Sequence, residues 1–117
     1  MSYVDGFVIA VPKANIEAYK TLTQLSGKVW MEYGALSYVE CLADDVPYGE
    51  LTSFPRAVQA TEDETVVFSW IVYKDKASRD EIMAKVMADP RLQQDMKNMP
   101  FDTKRMIFGG FVPFTEL

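Results

Sequence analysis

The sequence predicts an α+β fold, a four-stranded antiparallel sheet with two main helices on one face, and three observations carry that expectation. Two amphipathic stretches of helical period are each bracketed by β-rich runs. The order of elements is strand, helix, strand, strand, helix, strand, which right-handed crossovers close into a single sheet. The run from Glu64 to Tyr73 is apolar enough to need the middle of that sheet. At 117 residues and 13.3 kDa the chain suits one domain, residues 1–117.

The first strand spans Tyr3 to Val11, rich in β-branched and aromatic residues and closed by Pro12, which has no N–H for a sheet ladder. From Lys13 the apolar residues Ile16, Tyr19, Leu22, Leu25, Val29, Trp30 and Tyr33 recur at three- to four-residue spacing, so a long amphipathic helix follows, with Gly34 as its C-cap. Ala35 to Ala43 reads as the second strand, stopped by Asp44-Asp45-Val46-Pro47-Tyr48-Gly49, a cluster of turn formers. The connection from Asp44 to Asp63 is long for so small a domain, and Ser53-Phe54-Pro55 has the makings of one capped helical turn within it. Glu64 to Tyr73 is the third strand. Ser78 and Glu81 have capping-box spacing ahead of Ile82, Met83, Val86 and Met87, giving the second helix. Asp89-Pro90 opens a short third piece that Met99-Pro100 ends, and Lys104 to Phe114 forms the last strand, where Gly109-Gly110 predicts a bulge or a close backbone approach.

This order is that of a ferredoxin-like plait. With helices on one face only and a third strand apolar on both, the open face would expose a large hydrophobic patch, so the sequence points to a homodimer formed through the sheets.

Composition narrows the chemistry. The net charge of −5 and pI near 4.6 oppose binding to nucleic acid or an anionic membrane surface. No export or anchoring signal is expected at the N-terminal Met1-Ser2-Tyr3-Val4-Asp5-Gly6, and no apolar run approaches membrane-spanning length. The single cysteine, Cys41, leaves no internal disulfide and too few thiolates for a zinc or iron–sulfur site, which fits a cytoplasmic protein. There is no histidine, so a His general base, a Ser-His-Asp triad and histidine ligation of haem or zinc are all excluded. Neither cofactor nor metal is expected.

With these elements placed, several segments resemble the uncharacterised bacterial YbaA-like proteins, a domain of unknown function within the dimeric α+β barrel group. The resemblance rests on Tyr3-Val4-Asp5-Gly6-Phe7-Val8, Gly34-Ala35-Leu36, Glu40-Cys41, Asp44-Asp45-Val46-Pro47, Thr52-Ser53-Phe54-Pro55 and Phe68-Ser69-Trp70. Towards the C-terminus it continues through Ser78-Arg79-Asp80, Asp89-Pro90-Arg91, Pro100-Phe101-Asp102, Lys104-Arg105-Met106-Ile107 and Gly109-Gly110-Phe111. It implies a fold and a dimer without an activity, since that wider group holds cofactor-free oxygenases, haem-degrading enzymes, lactone isomerases and small-ligand binders.

Several residues are candidates for chemistry, each with a plainer alternative. Asp44 and Asp45, with Glu40 close before them, offer either hard oxygen ligands or a carboxylate of raised pKa, or simply a solvated turn. Asp5 interrupts an apolar strand and is exposed, paired with a base such as Arg105, or set to receive a proton. Arg79, Arg91 and Arg105 sit near element boundaries, where they either converge on an anion or pair locally with Asp80, Asp89 and Asp102. The aromatics Tyr38, Phe68, Trp70, Phe108 and Phe111 line a ligand pocket or pack a core, and Met83, Met87, Met96, Met99 and Met106 form an adaptable apolar wall or fill core gaps. Cys41 reads as an inert thiol.

Three functions follow. The first is a homodimer binding a small apolar or aromatic metabolite, anionic or neutral, with Tyr38, Trp70, Arg79, Arg91, Arg105 and Phe108 as its contacts. The second is a cofactor-independent enzyme of oxygenase or isomerase type, with Asp5, Glu40 or Asp45 as acid or base and an arginine holding a developing anion. The third is a protein-interaction module using the sheet face or the 44–63 loop.

Overall fold

The computed structural model describes residues 2–93 and 98–117. Its elements are β1 (Tyr3–Pro12), a 3-10 turn (Lys13–Asn15), α1 (Ile16–Glu32), β2 (Ser37–Leu42), α2 (Phe54–Ala57), β3 (Glu64–Tyr73), α3 (Lys76–Ala88), α4 (Pro90–Gln93) and β4 (Ile107–Phe111). The four strands pair antiparallel in the order β2-β3-β1-β4, as the ferredoxin-like reading requires.

Side-chain alternation assigns the two faces of the sheet. Register pairs Tyr3 with Tyr73, Asp5 with Ile71, Phe7 with Ser69 and Ile9 with Val67, and these residues face α1 and α3. There Tyr3, Ile71 and Tyr73 close over Val29 and Trp30 of α1 and Ile82 and Val86 of α3, while Ile9, Val11 and Val67 close over Tyr19. The opposite face carries Val4, Val8, Val39, Phe68, Trp70, Val72, Ile107 and Phe111, half-buried or exposed. One end of that face is not open. The 44–63 connection folds back so that Val58 packs on Ala10 and Val66, and Phe54 meets Phe68 edge to face at 5.7 Å.

Local chemistry explains most boundaries. α1 ends in a Schellman motif: Gly34, at φ +115°, donates to the Met31 carbonyl and Ala35 to that of Trp30. Ser53 caps α2 by accepting from the Arg56 N–H at 3.1 Å, and Asp89 accepts from the Arg91 N–H at 2.9 Å at the head of α4.

Other expectations needed correction. α3 starts at Lys76 and its cap is Asp75, which accepts from Ser78 N–H at 2.7 Å, so Ser78 lies inside the helix and opens no capping box. β4 is shorter than Lys104 to Phe114. Before it, Asp102 draws in the N–H groups of Lys104 and Arg105 as a turn, and beyond it β1 has run out of partners and Pro113 lacks an N–H. Gly109-Gly110 makes no bulge, since the pairing with β1 is unbroken from Val4–Phe111 to Val8–Ile107. The alternative, close approach, holds: a Cβ on Gly110 would strike the Tyr3 hydroxyl and the Arg79 guanidinium.

Candidate functional site

β2 is the edge strand beside β3, and its alternation turns Tyr38 and Glu40 toward the helices. A glutamate on this face is out of place in an apolar layer unless its oxygens find donors. They do. Glu40 accepts from the Tyr19 hydroxyl of α1 at 2.7 Å on one oxygen and from the Tyr38 hydroxyl at 2.9 Å on the other. Ser69 lies directly across from Glu40 in register on β3. Tyr38 reaches this position because Gly27 of α1 has no side chain: a Cβ there would lie 2.7 Å from the Tyr38 ring.

Burial raises the Glu40 carboxyl above its ordinary value of 4.5, and the hydroxyls of Tyr19, Tyr38 and Ser69 pull it down without cancelling that effect. Burial, and then the neighbouring Glu40 charge, push both tyrosines well above the usual phenol range. They therefore stay protonated and donate.

The Glu40 carboxyl forms part of the wall of a cavity of about 430 Å³ between sheet and helices, within the range usual for small-molecule sites. Phe7, Ile9 and Ile71 supply the sheet side, Leu22 and Trp30 the α1 side, Val86 and Met87 the α3 side. Met99, Phe101, Thr103 and Met106, on the chain returning to β4, complete the wall. That return is held by Asn15, which donates to the Pro100 carbonyl at 3.0 Å, and by Phe101 against the Tyr19 ring at 5.7 Å. Among the described residues, Glu40 is the single carboxyl on the wall, and no lysine or arginine lies there.

Of the residues singled out from sequence, the structure brings Tyr38 and Glu40 together here, with Met87, Met99 and Met106 beside them. Trp70 borders the cavity along β3, but its ring packs on Phe68 at 5.7 Å, on the other face. Met83 belongs to the main core, and Met96 lies outside the described residues. Asp44 and Asp45 are exposed, with no hydrogen bond or ion pair among the described residues, and no group of three acidic or thiol side chains able to hold a metal is found among those residues. Phe108 is 71% exposed on the edge strand.

The three arginines do not converge. Arg79 lies 3.3 Å from the buried Asp5 carboxylate, which also accepts from Tyr73 at 2.8 Å, and its other nitrogens meet Asp80 and the Tyr3 hydroxyl. Asp5 is thus paired as one reading proposed, but with Arg79, because Arg105 is engaged elsewhere. Arg105 forks onto Glu64, binds Asp102 and caps the carbonyls of Val58 and Gln59. Arg91 joins Asp89 to Glu32, and Tyr33 also donates to Asp89. The local pairs with Asp80, Asp89 and Asp102 are all present.

Sequence reasoning missed Tyr19 as a site residue, having placed it on the apolar stripe of α1. A signal was there, since a buried tyrosine hydroxyl needs a partner, and so does Ser69 in the apolar run of β3.

The βαββαβ plait is the ferredoxin-like α+β fold, and solved structures of NIPSNAP proteins and of SnoaB share it. SnoaB of Streptomyces nogalater, described as a cofactor-independent oxygenase, superposes with a TM-score of 0.63 at 12% identity, over 99% of this chain and 96% of its own. A NIPSNAP domain protein from Burkholderia xenovorans gives 0.57 at 16% identity, over 97% and 98%. A dimeric ferredoxin-like protein from an uncultured marine organism gives 0.62 at 7%, over 98% and 97%. At such identities the likeness establishes the fold. The family comes from sequence: the chain belongs to the family described as protein of unknown function DUF1428, whose model matches residues 2–103. It is 51% identical over 111 residues, 95% of each chain, to the uncharacterized protein YbaA of Escherichia coli K12, and equally so to that of Shigella flexneri.

Proposed function

We propose that the protein binds a small, largely apolar metabolite in the chamber between sheet and helices, oriented by the Glu40 carboxyl and its tyrosines. One observation carries this reading: a half-buried carboxyl, held by Tyr19 and Tyr38, stands in the wall of a largely apolar cavity of about 430 Å³. Indole, titrated into isotopically labelled protein to millimolar concentration, tests it by NMR. Shifts concentrated on Ser69, Ile71 and Trp30 are expected, and an unperturbed spectrum would remove the cavity as a binding site.

A second reading, a cofactor-independent enzyme, draws support from the raised affinity of Glu40 for a proton and from the described activity of SnoaB. Glu40 is then the acid or base. The arginine role expected from sequence falls away, since Arg79, Arg91 and Arg105 bind Asp5, Asp89 and Glu64, Arg56 binds the carbonyls of Tyr48 and Gly49, and no arginine is among the described lining residues.

The working unit in this proposal is a homodimer of the whole chain acting as one domain. The apolar open face of the sheet supports it, as does the dimeric state described for one structural neighbour. We place it in the cytoplasm on the strength of its single thiol. No helix among the described residues is long and apolar enough to cross a membrane.

A further inference from the structure

We infer that the chamber selects an uncharged, planar molecule bearing a hydroxyl that donates a hydrogen bond to Glu40, and rejects carboxylates and phosphates. This rests on the chamber being a binding site and specifies what enters it.

The argument is one of donors and acceptors. A carboxylate offers about four acceptor positions. Tyr19 and Tyr38 fill two of them and leave acceptor capacity over. Both tyrosine hydroxyls donate to Glu40, so their protons are turned onto the carboxyl and away from a ligand. A ligand arriving here meets an excess of acceptors, and a phenolic or enolic hydroxyl satisfies one.

Charge points the same way. Among the described residues no lysine or arginine borders the cavity; Arg79, Arg91 and Arg105 are bound to Asp5, Asp89 and Glu64, and Arg56 to the carbonyls of Tyr48 and Gly49. Lys28 approaches Tyr38 and Glu40 only from a shallow groove on the outer side of α1, with Thr23, Gln24 and Met31. An anion in the chamber would face the Glu40 carboxyl across a poorly screened, largely apolar space with no countercharge among the described residues. Phe7, Trp30 and Phe101 provide flat apolar walls for a ring.

Three probes of one shape test this at pH 7: 2-naphthol, 2-methoxynaphthalene and 2-naphthoate, titrated against the wild type and Glu40→Gln by calorimetry or NMR. The wild type is expected to prefer naphthol about tenfold over the methyl ether, the size of one hydrogen bond to a charged acceptor, and by more over naphthoate. In Glu40→Gln, whose amide both donates and accepts, the preference for naphthol should shrink to within a few-fold. If the ether or naphthoate binds as well as naphthol to the wild type, the inference fails while the chamber stands as a site. A preference that survives unchanged in Glu40→Gln removes Glu40 as its source and also overturns it. Should none of the three bind, the chamber itself falls as a ligand site, and this inference with it.

Discussion

Glu40 and Tyr19 lie on different elements, an edge strand and the first helix, and meet carboxyl to hydroxyl at 2.7 Å on the wall of the cavity. The contact ties α1 to β2 through the group on which the proposed function depends, so stability and function are linked there.

Removing the Tyr19 hydroxyl isolates that link. Tyr19→Phe keeps the ring against Phe101 but deprives Glu40 of a donor that lowers its proton affinity. A loss of about 1–2 kcal/mol in urea unfolding is expected, with a further rise in the Glu40 pKa seen by carboxyl carbon NMR. An unmoved carboxyl resonance would show that the hydroxyl does not bear on its charge.

The pH dependence of Glu40 has a definite sign. Its folded-state pKa lies above the unfolded value of 4.5, so the folded form holds its proton more tightly. The resulting stability is fully present below the unfolded pKa and is lost as pH rises through the folded one. Glu40→Gln lacks this loss. Its melting temperature relative to wild type should therefore improve as pH goes from 4 to 8, whatever the offset at pH 4, and a constant difference would refute the shift.

Glu64 behaves in the opposite sense. The Arg105 fork holds its carboxylate at about 2, below the ordinary 4.5, so the stability it contributes is present above 4.5 and lost as pH falls through about 2. Glu64→Gln should narrow the difference between the unfolding midpoints at pH 6 and pH 3. Since this pair anchors the turn before β4 to the start of β3, protease sensitivity around Lys104 should rise in the variant.

Gly27 tests the packing beneath Tyr38. A methyl there must displace a ring already hydrogen-bonded to Glu40, so Gly27→Ala is expected to cost roughly 1–3 kcal/mol despite the better helix propensity of alanine. Gain of stability would mean the ring moves freely.

Val72 reports on assembly. It lies half-buried on the sheet face away from α1 and α3, paired with Val4 and Ser37. In a monomer Val72→Lys can lift its ammonium to water, whereas in a dimer built on this face the charge is trapped. Sedimentation should show a dimer for the wild type and a monomer for the variant. A wild-type monomer at micromolar concentration would sink the proposed assembly.

The order of strands and helices, the long α1 with its Gly34 stop, the capped turn at Ser53 and the start at Asp89-Pro90 were all legible in the sequence. Each depends on hydrogen bonds and periodicities spanning a few residues, which the chain carries locally. The length of β4 was not, because it is set by where β1 ends and by the turn that Asp102 draws around Arg105. Nor was the cap of α3, where Asp75 and Ser78 were both chemically fit and only backbone geometry chose Asp75.

For the site, sequence supplied residue types without partners. It offered Glu40 beside Asp44 and Asp45 as an acid–base carboxyl and Tyr38 among the pocket aromatics, and the absence of histidine confined acid–base chemistry largely to carboxyls. Tertiary structure decided the rest: that Tyr19, twenty-one positions from Glu40, reaches it, that Asp5 takes Arg79, and that three arginines near element ends face three different acids. Such pairings depend on strand register and on how α1 lies across the sheet. Those are properties of the packed core, where burial energy summed over the whole chain fixes positions that no local pattern specifies.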